Sequence, residues 1–339
     1  MASALQIHRV DPYDTAEYDT WWHAYDAAKR TDMGADALSW SLEESRAELQ
    51  QQSTTIERRA YIAVHDGIVV GSGSLALSLK DNLHSAALGV NVPGDFRRAG
   101  VGSALLAHIE SEAKQAGRRT FHAETTWSAS APADGAGAPG REFARRHGYE
   151  VAIGDLQNRL TLPVADAALD ELITQAPAAG FEIRSWTGPV PDEYVAEWSV
   201  LDALLETEAP TGDLELEARS ADVDDFRNDE KLQEAQNRIS YGTIAVAPDG
   251  HIAAYTQLVH SGDDGNAYQW GTLVRREHRG HRLGLRIKLE NLRQMQRHNP
   301  QIPRVYTFNA ESNEHMLAVN TQLGFEPIAR MAELQKKLD

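Results

Sequence analysis

The chain repeats itself at a nearly constant interval. An Asp-Gly pair, Asp66-Gly67, returns as Asp249-Gly250, 183 positions on. Gly102 returns as Gly284, 182 positions on, and the Gly-aromatic pair Gly148-Tyr149 returns as Gly324-Phe325, 176 positions on. Three unrelated features at one interval constrain the fold more than any single motif, because whatever unit is written once is written twice. The one lag falls where the first copy carries an Ala/Gly/Pro-rich stretch, Ser128 to Gly140. A chain of 339 residues also exceeds one compact core and suits two. The expected division is a first lobe over 1–163, a linking segment over 164–179 and a second lobe over 180–339. The linking segment holds a helix, Asp166 to Gln175, bracketed by Pro163 and Pro177.

Each copy reads as the same series of elements. In the first, Ala4 to Val10 is a strand and Asp14 to Ala28 a helix whose Tyr18, Trp21, Trp22 and Tyr25 fit a packed face, with pocket lining as the other use. Ser41-Leu42-Glu43-Glu44 starts a second helix with a capping serine. Tyr61 to Val64 and Ile68 to Leu79 flank Asp66-Gly67 as a hairpin, since Asp-Gly supplies the positive φ of a tight turn. Leu83 to Val92 and Arg119 to Trp127 are further strands, Arg141 to His147 is a short helix, and a last strand runs from Gly148-Tyr149 to about Leu162. In the second copy the strands are Phe181 to Trp186, Tyr241 to Ala247, His251 to Val259, Ala267 to Val274 and Arg304 to Asn309, with a helix over Glu193 to Leu205.

The stretch with the most chemistry is Val90-Asn91-Val92-Pro93-Gly94-Asp95-Phe96-Arg97-Arg98-Ala99-Gly100-Val101-Gly102-Ser103. A strand ends at a proline, a basic glycine loop follows, and a helix opens with Val101, Leu105, Leu106 and Ile109 on one face. The first N–H groups of a helix have no internal partners, and the helix dipole favours an anion there. Glycines let a phosphate reach the backbone, and arginines fork onto its oxygens. The counterpart, Arg279-Gly280-His281-Arg282-Leu283-Gly284, puts Arg282 where the first loop has Gly100, inside a cluster of Arg275, Arg276, Arg279, Arg282 and Arg286. That cluster serves either to hold phosphates or as a solvated helix edge.

Arg97-x-x-Gly100-x-Gly102 after a strand and opening a helix resembles the pyrophosphate loop of the GNAT superfamily of N-acetyltransferases. The layout is similar to two-lobed actinobacterial members such as mycothiol synthase, and the resemblance covers nearly the whole chain. It implies an α+β (α/β) fold of two tandem GNAT-like domains. Each is a mixed, mostly antiparallel sheet flanked by helices, with two parallel strands splaying to admit the pantetheine arm. It implies acetyl-CoA as co-substrate and a small-molecule amine as acceptor, with direct transfer because no cysteine exists to carry an acyl group. Cofactor contacts fall to Val90, Val92, Arg97, Arg98, Ala99, Gly100, Val101, Gly102 and Ser103 in the first lobe. In the second they fall to Leu273, Val274, Arg279, Gly280, His281, Arg282, Leu283, Gly284, Leu285, Asn309, Asn313 and Asn320.

Acyl transfer to an amine needs a polarised thioester carbonyl, a base for the ammonium and a proton for the leaving thiolate. The family often takes that proton from a tyrosine four positions before the Gly-aromatic pair, and here those positions are Ala144 and Asn320. Glu124 is the candidate base of the first lobe. Strand alternation puts it on one face with His122 and Thr126; that face looks either into the slot or into solvent. Asn309 holds the equivalent place in the second lobe and cannot act as a base, so a base there would come from elsewhere, for example Asp213, Glu215 or Glu217. The loss of both tyrosines and the presence of Arg282 motivate the alternative: a non-catalytic acyl-CoA-binding protein that senses or scaffolds.

Composition removes other classes. Without cysteine there is no disulfide, no thiolate catalysis and no Cys-based zinc site. A formal charge of −17 disfavours nucleic acid and mildly attracts cations. No apolar run is long enough to span a bilayer, and Met1 to Ile7 has no signal-peptide pattern. The expectation is a cytoplasmic monomer or homodimer with no membrane partner and no metal. His278 and His281 are spaced for a metal but lie inside the basic loop, where phosphate contact or plain surface fits better. Gly71-Ser72-Gly73-Ser74-Leu75-Ala76 matches a dinucleotide fingerprint, but strand alternation rather than a helix follows it.

Overall fold

The structure is a computed structural model that describes residues 4–178 and 180–338. Met1 to Ser3 of the N-terminal stretch and Ala179 of the linking segment lie outside the described residues. The chain forms two compact units. Over the described residues, the first comprises 4–155, Gly212–Glu217 and 328–338; the second comprises the described part of 156–211 and Ala218–Pro327. The units are therefore interleaved along the sequence, each completed by chain from beyond the repeat boundary.

In the first unit, β1 (Gln6–Arg9), β2 (Ile56–His65), β3 (Ile68–Ser78), β4 (Ser85–Asn91) and β5 (Thr120–Ser128) are joined by β12 (Glu326–Lys337), in the order β1-β2-β3-β4-β5-β12. All neighbours are antiparallel except β4 and β5, which run parallel. Helices α1 (Thr15–Met33), α2 (Leu42–Gln50), α3 (Val101–Gln115) and α4 (Pro139–Arg146) flank the sheet. Ser41 caps α2 in a full capping box with Glu44, as the sequence pattern indicates. Trp21 and Trp22 are packing residues: their indoles donate to the carbonyls of Gly73 and Trp40 at 3.0 and 2.9 Å. Leu105, Leu106 and Ile109 of α3 pack on Leu88, Phe121, Ala332 and Leu334, and each burial contributes about 1.5–3 kcal/mol. Two of those partners come from β12, so the first core needs the last strand.

The second unit orders its strands β6 (Glu150–Thr161), β11 (Arg304–Ala310), β10 (Ala267–Val274), β9 (Ile252–Ser261), β8 (Arg238–Val246) and β7 (Glu182–Thr187). β6 enters this unit from Leu156 onward. Here β10 and β11 are the parallel pair. The helices are α5 (Asp166–Gln175), α6 (Asp192–Glu208), α7 (Val223–Ala235), α8 (Leu283–His298) and α9 (Glu314–Leu323). The two orders repeat the mixed, mostly antiparallel sheet expected of each lobe.

Candidate active site

The parallel pair of the first unit is short. β4 and β5 match at Ser85–Thr120, Ala86–Phe121 and Ala87–His122, while β4 stays paired to β3 as far as Asn91. Past Ala87 the two strands part, and the backbone on that side of β4 has no strand neighbour among the described residues. The gap is a slot of about 140 Å3 lined by Leu88, Val90, Val92, Leu106, Glu124, Ala144 and Tyr149 among others. It adjoins a cleft of about 550 Å3 lined by Arg97, Arg98, Gly100, Gly102, Ser103 and Arg146. Asp32, Val90, Val92, Arg97, Gly140 and Phe143 line both. Loop, cleft and slot are one continuous path ending at Glu124.

The loop builds an anion site from backbone. α3 begins after Gly100, which is left-handed at φ 85°, and neither a capping side chain nor an acidic residue occupies the first turn. Its leading N–H groups remain available. Gly102 faces Phe143, whose Cε2 would lie 3.2 Å from an added Cβ, so glycine keeps this wall thin. Arg97 is half-buried: its Nε donates to the Val92 carbonyl at 2.8 Å, and its fork pairs with Asp32 at 2.7 and 2.9 Å. It therefore holds the loop in shape, and the charge turned to the cleft comes from Arg98 and Arg146. Neither of these has an acidic partner among the described residues. Arg146, Phe143 and Gly140 escape a sequence reading because α4 meets the loop only in the folded chain.

Glu124 is exposed and lies on the slot lining beside Ala123, Thr125 and Thr126. Its partner across the ladder is Glu333 of β12. Burial, the carboxyl of Asp155 and then the charge of Glu124 push Glu333 up to about 8. A proton-holding carboxyl thus adjoins the candidate base. No sequence pattern pairs Glu124 with Glu333. Tyr25, pushed up to about 12 mainly by burial, also feels the charge of Glu124. Ala144 is buried on the slot wall.

The second unit differs at each of these points. The strand pairs Ala86–Phe121 and Tyr268–Tyr306 are equivalent, which sets Asn309 opposite Glu124 in the comparison. The Gly148/Gly324 repeat sets Gln157 where the first unit has Glu333. Two carboxylates are replaced by two carboxamides. Asn320 donates to Asn309 at 2.6 Å, while Asn313 caps α9 by accepting from the Met316 N–H at 3.2 Å. Leu273, Leu283, Gly284 and Leu285 are buried, Val274 is half-buried, and Arg279, Gly280, His281 and Arg282 are exposed. His278 and His281 pack on the Phe181 ring at 5.5 and 5.6 Å. Asp213, Glu215 and Glu217 correct an expectation. They belong to the first unit, where Glu215 pairs with Lys337 at 2.9 Å and Glu217 accepts from the Asn82 N–H at 3.0 Å, so they supply no base to the second.

Residues 18–149 match the acetyltransferase (GNAT) family. No curated protein sequence matches the chain. Among solved structures, the chain is similar to a tandem GNAT protein from the clavulanic acid biosynthesis pathway, with 28% identity, a TM-score of 0.79 and 98% of each chain covered. It shares a fold with a GCN5-related N-acetyltransferase from Sphaerobacter thermophilus, at 17% identity and a TM-score of 0.67, covering 98% of this chain and 95% of that one. It also shares a fold with Saccharomyces cerevisiae N-myristoyltransferase with bound myristoyl-CoA, at 11% identity and a TM-score of 0.61, covering 99% and 80%.

Proposed function

We propose, for a chain whose residues 18–149 match the acetyltransferase (GNAT) family and which is similar along its length to a tandem GNAT protein, that the first unit transfers an acetyl group from acetyl-CoA directly to the amine of a small molecule. The observation that carries this reading is the continuous path from the Gly100–Ser103 loop through the β4–β5 gap to Glu124. The diphosphate meets the α3 N-terminus, Arg98 and Arg146. The pantetheine arm lies along the unpaired edge of β4, whose N–H groups polarise the thioester carbonyl as an oxyanion site does. Glu124 takes the proton of the acceptor ammonium. The amine attacks the carbonyl carbon, the C–N bond forms, the C–S bond breaks, and the coenzyme leaves as thiolate and takes up a proton.

The test is thiol release from acetyl-CoA in the presence of a panel of amines. Glu124→Gln is expected to lower kcat by about 10²–10⁴-fold, the range for losing a general base. An unchanged rate in that variant removes Glu124 from the mechanism. Ala144 favours one second reading, a binding module without turnover, because position 144 carries no hydroxyl to protonate the thiolate. Acetyl-CoA binding with no thiol release across the panel establishes that reading instead.

A further inference from the structure

The arginines of the second loop already have partners. α5 ends at Gln175, and the last carbonyls of a helix are unpaired within it and carry the negative end of its dipole. Arg282 Nη1 donates to the Gln175 carbonyl at 2.8 Å, and Arg286 Nη1 to the Ala176 carbonyl at 3.4 Å. Apolar packing fixes α5 in this place: Leu169 and Ala176 are fully buried against the cluster that holds Leu285, Leu289 and Leu292 of α8. The rest of the basic cluster is committed as well. Arg276 and Arg279 both bind Glu208, each at 2.8 Å, and Arg275 lies 3.6 Å from Glu197.

The slot behind the loop is filled too. Lys288 and Asn320 stand in the repeat where the first unit has Leu106 and Ala144, two residues that line its slot. They are 3% and 1% exposed. Lys288 Nζ donates to Asn320 Oδ1 at 2.6 Å, and Asn320 Nδ2 donates to Asn309 Oδ1 at 2.6 Å. The Met316 sulfur lies 3.9 Å from the amine and the centroid of the Phe325 ring 5.7 Å. Burial without a carboxylate draws this lysine down to about 7.

We propose that the second unit has turned its acyl-CoA site into an internal joint: the carbonyl end of α5 takes the guanidinium groups of Arg282 and Arg286, the Lys288–Asn320–Asn309 chain fills the arm slot, and the protein takes up a single acyl-CoA, in the first unit. The single site in the first unit rests on the function proposed above; the joint itself concerns the second unit and does not depend on turnover in the first.

Two measurements on the full chain test it. The first is calorimetric titration with acetyl-CoA. The second is lysine labelling with acetic anhydride, mapped by peptide mass spectrometry with and without acetyl-CoA. The expected results are one binding site, lost in Gly102→Glu and kept in Gly284→Glu, and a Lys288 that stays unlabelled while exposed Lys114 and Lys337 react. Arg282→Glu, at an exposed position, serves the same purpose if the buried Gly284→Glu fails to fold. A second site that either second-loop variant removes overturns the joint, and so does acetylation of Lys288. If no site is found, acetyl transfer in the first unit fails. Labelling then decides the joint alone: a protected Lys288 supports it and a labelled one overturns it.

Discussion

Each basic loop bends through two left-handed residues, and its glycine stands at the opposite one. The first loop has Arg98 at φ 65° and Gly100 at 85°; the second has Gly280 at 87° and Arg282 at 56°. The shape is common to both copies, and each accepts one side chain at a cost of about 1–2 kcal/mol. Gly100→Ala adds a Cβ that meets nothing within 4 Å, so its effect is backbone strain alone. A loss of about 1–2 kcal/mol is expected, read as a lower urea midpoint; an unchanged midpoint means the loop relaxes without cost. Glu333 gives a second prediction at this scale. The folded carboxyl keeps its proton to about pH 8, against an ordinary value of 4.5, so between those values the folded state binds more protons than the unfolded chain. Stability therefore falls as pH rises through that window. Glu333→Gln should abolish that slope and leave the protein more stable than the parent above pH 8, as followed by thermal unfolding. A parent whose stability does not fall there refutes a proton held on Glu333.

At the scale of elements, Ser41 holds α2 by a capping box, and Ser41→Ala should cost about 1 kcal/mol in unfolding free energy. That cap was legible because its chemistry is local: a serine and a glutamate three residues apart. So were the hairpins at Asp66 and Asp249 and the strand–loop–helix at Gly100, where glycines and turn residues dictate the backbone. α7 was not, because none of its residues is buried and Asp224, Asp225, Asp229 and Glu230 break any apolar stripe. It is fixed by Val223 and Phe226, half-buried against the second core, by the Asp222 cap and by ion pairs of Arg227 with Asp192 and Glu230. The candidate site divides the same way. The loop and Glu124 could be found from spacing and alternation. Glu333, Arg146 and the partners of the second-loop arginines could not, since each depends on chain that is distant in sequence.

For the whole molecule, the repeat gave the number of units but not their membership. β12 supplies Ala332 and Leu334 to the first core and pairs with β5 from Thr120 to Ser128. Removing residues 326–339 should therefore abolish acetyl-CoA binding at the first loop, although no residue of that loop is touched. A fragment of residues 1–163 should fail in the same way, because β5 would become an open edge beside an uncovered core. Calorimetry on either truncation decides this, and full binding by the fragment would show that β12 is dispensable.

That pairing also sets a clock. Strand β5 is made early in synthesis and waits for a partner that follows roughly two hundred residues later, the kind of distant contact that slows folding and leaves strand edges exposed meanwhile. The half of the protein that is written first should be finished last. Chains stalled on the ribosome before residue 328 should leave the first unit open to protease, and chains extended past residue 338 should close it. Early protection in the stalled chains would mean that the first unit matures without its final strand.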